Sequence, residues 1–213
     1  AVDIAIWDLI GKSLKQPIHR VLGGYRDEVP CYASGGYYRE NEGVKELLKE
    51  VEGYLDKGFK AVKIKVGAVS LKQDLERVKA VRGLIGPELQ LMVDANNAYD
   101  PHTAIRAGRE YEKYDIYWYE EPVWPDDLQG SAAVAATLDT PVASGELEYT
   151  RYGFRDIIQN RAADIIQPDA AILGGITEWL RVNSMAVAWS IGVAPHNAQE
   201  INSHLAGAKP NVL

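Results

Sequence analysis

Short apolar runs alternate with longer amphipathic stretches along the whole of this chain, and that alternation restricts it to an α/β architecture built from parallel strands. The expected strands are Val29–Ala33, Ala61–Val66, Leu89–Val93, Ile116–Tyr119, Pro141–Ser144, Asp164–Gln167 and Gly192–Ala194. Expected helices lie near Glu42–Lys57, Leu71–Leu84, Pro101–Lys113, Leu128–Leu138, Tyr152–Asn160, Ile176–Ser190 and Gln199–Leu205. Each strand-and-helix unit takes roughly 25–30 residues, the length of a parallel βα repeat. Such units in unbroken succession favour a TIM-like barrel over an open doubly wound sheet. An open sheet would carry a glycine-rich phosphate turn after its first strand, and Gly35-Gly36 does not match one. Residues 1–24 read as a helix leading into the barrel, closed by the turn Gly23-Gly24, and residues 25–213 as a partial (β/α) barrel.

The polar residues fall where a barrel enzyme needs them. Asp94, Glu120, Glu146, Asp169 and His196 each stand at the C-terminal end of a different expected strand, and barrel sites are assembled from several strand ends at once. Within Ala61–Val66, side chains two apart share a face, so Val62, Ile64 and Val66 would face the helices while Lys63 and Lys65 point inward. Two inward ammonium groups require anions close by. A solvated edge strand is the alternative, and it fits poorly because parallel strands are covered on both faces. The functional reading makes one lysine a base whose pKa is lowered by its cationic neighbour and by a metal.

Asp94, Glu120 and Glu146 lie on successive strands, so three carboxylates would converge and repel unless a hard divalent cation gathered them. Taken singly, each is equally well a helix cap or a surface charge; the set in register is what points to Mg²⁺. Glu120 and Glu121 alternate, so only one can point inward. Glu120 is the expected ligand and Glu121 a supporting residue behind it. Asp169 and His196 are expected to pair, since a carboxylate on one imidazole nitrogen fixes the tautomer and raises the basicity of the other. His19, His102 and His204 have no such expected partner and no expected role.

Bulk properties narrow the classes of partner. The formal net charge of −7 disfavours a nucleic-acid partner, yet does not exclude an anionic substrate where metal and lysines reverse the local sign. The single cysteine, Cys31, rules out an internal disulfide and fits a cytoplasmic setting. No apolar run is long enough for a membrane helix. The chain opens at Ala1 inside a helix-like run with no N-cap before it, and stops at Leu213 just after an apparent strand start, so a fragment is expected.

These residues resemble the mandelate racemase subgroup of the enolase superfamily. The resemblance is carried by Lys63-Ile64-Lys65, Asp94-Ala95-Asn96, Glu120-Glu121-Pro122, Gly145-Glu146, Gln167-Pro168-Asp169 and Pro195-His196. Gly174-Gly175-Ile176-Thr177, Gln199-Glu200-Ile201, Trp7-Asp8-Leu9-Ile10-Gly11-Lys12 and Leu22-Gly23-Gly24 support it. It implies a (β/α)7β barrel with an α+β capping domain, here expected to lack that cap and the last strand. It implies one Mg²⁺ on Asp94, Glu120 and Glu146, and Lys65 as base on one face of the substrate. His196, polarised by Asp169, would serve the other face. Lys63 would bind the substrate carboxylate, and Asn96 and Glu200 match positions that touch substrate. Enolase-superfamily sites that pair a Lys or His base with Mg²⁺ are a general pattern of pKa tuning.

The expected activity is removal of the proton beside a carboxylate through an enediolate, with dehydration of an aldonate or aldarate to a 2-keto-3-deoxy acid. Glu148-Tyr149-Thr150-Arg151 reads as a polar loop suited to a polyol acid. Racemisation or epimerisation of a 2-hydroxy acid uses the same two bases. A muconate-type cycloisomerase fits less well, since a lysine would stand in place of His196. A reading from another class makes the chain an inactive barrel piece, insoluble or homo-oligomeric through an exposed strand edge. The 213-residue chain by itself is therefore expected to show little turnover in a steady-state assay, and robust turnover would contradict the fragment reading.

Overall fold

The computed structural model describes residues 1–213. In chain order its elements are α1 (Val2–Leu14), α2 (Ile18–Val21), β1 (Ala33–Gly35), α3 (Val44–Asp56), β2 (Ala61–Lys65), α4 (Leu71–Ile85), β3 (Gln90–Asp94) and α5 (Pro101–Tyr111). A 3₁₀ turn at Glu112–Tyr114 then leads to β4 (Ile116–Glu120), α6 (Leu128–Thr137), β5 (Val142–Ser144), α7 (Thr150–Asn160) and β6 (Ile165–Ile166). The chain finishes with α8 (Ala170–Leu173), α9 (Ile176–Ala188), β7 (Gly192–Val193) and α10 (Gln199–Ala208). The seven strands stand in the sheet in the order they have in the chain, which is the α/β class expected of a βα barrel.

Two compact units make up the chain: residues 31–142, and residues 1–30 together with 143–213. In the first, β1 to β4 pair in parallel. Val62, Ile64 and Val66 are buried in one apolar cluster with Leu47 and Val51 of α3 and Val78 and Val81 of α4. The side chains between them, Lys63 and Lys65, are thereby turned to the other face of β2. Local chemistry sets the helix starts. Ser70 caps α4 through Gln73 N, with the Gln73 side chain returning to Ser70 N at 3.2 Å. Asp100 caps α5, and Pro101 occupies its first turn, where no amide proton is needed.

In the second unit β5, β6 and β7 pair in parallel. Residues 211–213 begin to pair with β7: Val193 N donates to Asn211 O at 3.1 Å and Leu213 N to Val193 O at 2.9 Å. Trp179 of α9 is fully buried, its indole N–H on Pro168 O at 3.2 Å. Helix α1 is fastened to the start of α9, where Thr177 N donates to Asp3 Oδ2 at 3.0 Å and Trp7 Nε1 to Thr177 Oγ1 at 3.0 Å.

The structure corrects the sequence reading at three places. The first strand is Ala33–Gly35 and not Val29–Ala33. Pro30 has no amide proton to give a ladder, and the pairing with β2 begins only at Ala33, opposite Val62. Two four-residue helices, α2 and α8, were not expected, because a single turn is too short to show periodicity.

Arg82 in the last turn of α4 binds four carbonyls: Gly86 and Leu89 at 2.8 and 2.7 Å, Tyr114 at 2.9 Å and Asp115 at 2.7 Å. It thus joins the end of α4, the entry to β3 and the turn before β4. Arg82→Met keeps the aliphatic stem and strands those acceptors. We expect a loss of about 1–3 kcal/mol in urea unfolding, partly offset by water reaching the exposed carbonyls.

Candidate active site

In the unit of residues 31–142, β2, β3 and β4 bring four charged side chains together. Asp94 and Glu120 are the last residues of β3 and β4 and are paired in register. Both are completely buried, and an oxygen of each lies within 4.8 Å of the other's. Two anions this close would repel, and the β2 lysines neutralise them. Lys63 Nζ donates to Glu120 Oε1 and lies 3.2 Å from Asp94 Oδ2, which Lys65 Nζ approaches at 2.5 Å. Register produces the arrangement, since Lys65 is the β-partner of Asp94 and Asp94 of Glu120. Trp118 Nε1 orients the second oxygen of Glu120 at 2.9 Å, and Asn96 N holds Asp94 Oδ1 at 3.0 Å.

The charges tune one another. Burial pulls the Lys63 ammonium towards neutrality, but the Glu120 carboxylate, with Asp94 behind it, outweighs burial and raises its pKa. Burial also pushes Asp94 up, and Lys63 and Lys65 together hold it below its ordinary value. Tyr32, whose ring lies 5.4 Å from Lys63 Nζ, is pushed up to about 12, chiefly by burial.

Beyond the strand ends the chain turns sharply. Asn96 and Asn97 have φ of 41° and 63°, a left-handed conformation asparagine tolerates. Asn96 is exposed. Glu121 also has positive φ, 39°, so β4 stops at Glu120. The Glu121 side chain is buried and accepts from Asn97 Nδ2 at 3.1 Å.

In the other unit His196, just past β7, stands between two carboxylates: Nδ1 is 3.2 Å from Asp169 Oδ2 and Nε2 is 3.3 Å from Glu146 Oε2. Asp169 caps the short α8 and is buried. Glu146 follows Gly145, whose φ of 121° and close approach to Phe154 leave no room for a side chain; an added Cβ would lie 2.8 Å from that ring. Glu200 is exposed in the first turn of α10. In the segment Glu148–Arg151, Glu148 and Tyr149 lie in the connection between β5 and α7. Thr150 and Arg151 begin α7, and Arg151 Nε is held at 3.0 Å by Glu178.

One supporting residue escaped the sequence reading. Asn202, buried in α10, donates to His196 O at 2.6 Å and Asn197 O at 2.9 Å, while its Oδ1 accepts from Ala170 N at 3.4 Å. It ties the histidine loop to the helix that Asp169 caps. Its only sequence signal is an amide where the helical period calls for an apolar side chain. The expectation that His19 lacks a carboxylate partner is also corrected: its Nε2 lies 2.9 Å from Asp27 Oδ1, and Arg20 pairs with the other oxygen of that carboxylate. The turn at Gly23-Gly24 folds Asp27 back onto α2, a contact that spacing alone does not reveal.

Residues 46–213 match the family described as enolase C-terminal domain-like. The arabinonate dehydratase of Saccharolobus solfataricus is 42% identical over 92% of this chain and 52% of its own length. The D-galactarolactone cycloisomerase of Agrobacterium fabrum is 38% identical over 92% of this chain and 52% of its own. Among solved structures, L-talarate dehydratase from Polaromonas sp. JS666, complexed with Mg and L-glucarate, superposes with a TM-score of 0.93. It is 38% identical, and the match covers 98% of this chain and 58% of that one. The chain thus spans about half the length of the curated relatives it matches.

Lys63→Met leaves Asp94 and Glu120 buried with a single counter-charge. We expect roughly 3–5 kcal/mol of destabilisation by urea unfolding of metal-free protein. The pH dependence follows from the shifts. Asp94 is depressed, so its ion pairs stabilise above its ordinary 3.8 and are lost as pH falls through the lowered value. Lys63 is raised, so its share is complete below 10.5 and is lost as pH climbs through the raised value. Acid and alkaline titrations of stability should both flatten in the Lys63→Met protein.

Proposed function

Because the chain belongs to the enolase C-terminal domain-like family, we propose that it carries the catalytic residues of a Mg²⁺-dependent sugar-acid dehydratase. The observation that carries this reading is the presence of two differently armed groups. One is an ammonium, Lys65, set against Asp94; the other is an imidazole, His196, set between Asp169 and Glu146. Dehydration needs two proton-handling groups, one to take the α-proton and one to give a proton to the departing β-hydroxyl. The named relatives include dehydratases of arabinonate, of talarate and galactarate, and of rhamnonate.

The donor chemistry fits the cation. Asp94 and Glu120 offer only carboxylate oxygens, the hard ligands Mg²⁺ takes, and their burial beside ammonium groups supports a site where positive charge is favoured. Glu146 is the third proposed ligand. When bound, Mg²⁺ supplies positive charge for a substrate carboxylate that takes on a second negative charge in the transition state.

This chain's own residues then divide the work. Lys65, once it has given up a proton, takes the α-proton on one face as the neutral amine and becomes an ammonium again. Lys63, held charged by its raised pKa, faces the growing negative charge on the substrate carboxylate. His196 is aligned by Asp169 through Nδ1 and delivers the proton from Nε2 to the β-hydroxyl, which departs as water. The Cα–H and Cβ–O bonds break, a Cα=Cβ double bond forms, and the resulting enol becomes the 2-keto-3-deoxy acid. Asn96 and Glu200 are proposed contacts to the rest of the substrate.

The test is a panel of aldonates and aldarates incubated with the full-length enzyme and Mg²⁺. We expect a 2-keto product from at least one acid. His196→Asn and Lys65→Met should each lower kcat by roughly 10²–10⁴, the range for removal of a general acid or base. Chelation of Mg²⁺ should abolish turnover and added Mg²⁺ restore it. Incorporation of solvent deuterium at Cα with no loss of water anywhere in the panel would replace dehydration with racemisation.

A further inference from the structure

Helix α4 grips the residues on either side of Tyr37. Asp74 has no solvent exposure, and its carboxylate accepts from the Tyr38 hydroxyl and, at 2.8 Å, from Gly67 N. Three residues on, Arg77 donates from Nη2 to Gly36 O at 2.5 Å, and its guanidinium lies 4.3 Å from the centre of the Tyr38 ring. Gly36 is held from α3 as well, its N–H on Glu50 Oε1 at 3.3 Å. Its φ of 66° and the 2.9 Å that would separate an added Cβ from Ile64 Cβ leave that turn to glycine alone. Between these anchored neighbours Tyr37 is 56% exposed, with its ring centre 5.4 Å from Lys65 Nζ.

A buried carboxylate is costly unless its lone pairs are met, and Asp74 meets them with residues of the segments that follow β1 and β2. Asp74 is not needed to start its own helix, because Ser70 already caps α4. Its bonds instead fix where the chain after β1 lies. We propose that Asp74 and Arg77 are positioning residues that hold Tyr37 over the Lys65 ammonium, making Tyr37 the aromatic wall of the substrate site beside that lysine. The wall offers a ring face to the cation and a hydroxyl to a polyhydroxylated chain. This inference rests on the proposed role of Lys65 for its functional half, and on geometry alone for the latch.

Tyr38→Phe, Asp74→Asn, Tyr37→Phe and Tyr37→Ala test it in the intact enzyme. Hydrogen exchange reads the latch: protection of residues 36–43 should fall about tenfold or more in Tyr38→Phe and Asp74→Asn while β3 exchanges as before. Kinetics with Mg²⁺ and the sugar acid that the enzyme turns over read the wall. KM should rise about five- to tenfold in Tyr37→Ala, Tyr38→Phe and Asp74→Asn with kcat within about twofold, and Tyr37→Phe should recover most of the loss. Unchanged exchange at 36–43 in both latch variants would overturn the latch. A fall in kcat with KM unmoved, the mark of a smaller folded fraction, would overturn the wall. If no acid is turned over, the dehydratase reading and the wall fail together, while exchange still decides the latch.

Discussion

Two carboxylates buried without solvent at adjacent strand ends are tolerable only because two ammonium groups share their space, and the rest of the site follows from that balance. Asp94 and Glu120 cannot both be ionised and dry without Lys63 and Lys65. The lysines reach them because β2, β3 and β4 are parallel and in register, with alternate residues of β2 sunk into the helix layer. The apolar half of β2 thus orients the charged half. A shift of one residue would turn both lysines towards the apolar cluster of Leu47, Val51 and Val78 and away from Asp94 and Glu120. This charge balance is what the proposed divalent cation and anionic substrate would meet.

The imidazole side is built by a different device. His196 is not on a strand but just past one, in a segment followed by two residues with positive φ, Asn197 and Ala198. Its position depends on Asp169 and Glu146 at its two nitrogens and on the amide of Asn202 holding its backbone from α10. Short strands with sharply turned exits place these groups outside the regular ladder, where side chains can approach from several directions. Regular structure supplies the platform and irregular backbone supplies the aim.

Much of this was legible in the residue pattern. All seven helices expected from amphipathic periodicity are present, and six of seven strands fall within a residue or two of expectation, because long apolar faces leave a strong signal. The first strand was misplaced since Val29, Cys31 and Tyr32 around Pro30 look strand-like, while the true strand, Ala33-Ser34-Gly35, carries almost no apolar surface. Asn202, the Tyr38–Asp74–Arg77 group and the His19–Asp27 pair were invisible for a shared reason. Each joins residues through a fold-dependent contact, and none belongs to a spacing that a single helix or strand would repeat.

The sequence by itself determined the alternation of strands and helices, the inward face of β2, and which strand ends carry carboxylate, ammonium, imidazole and amide groups. Those properties depend on periods of two and 3.6 residues that are written locally. Only the tertiary structure decided which carboxylate each ammonium meets, that Glu121 turns back onto Asn97, and that α4 reaches across to hold the chain around Tyr37. Those outcomes depend on strand register and on loop paths between elements. Both are set by how apolar faces pack and by where buried polar groups can find partners, not by any single stretch of residues.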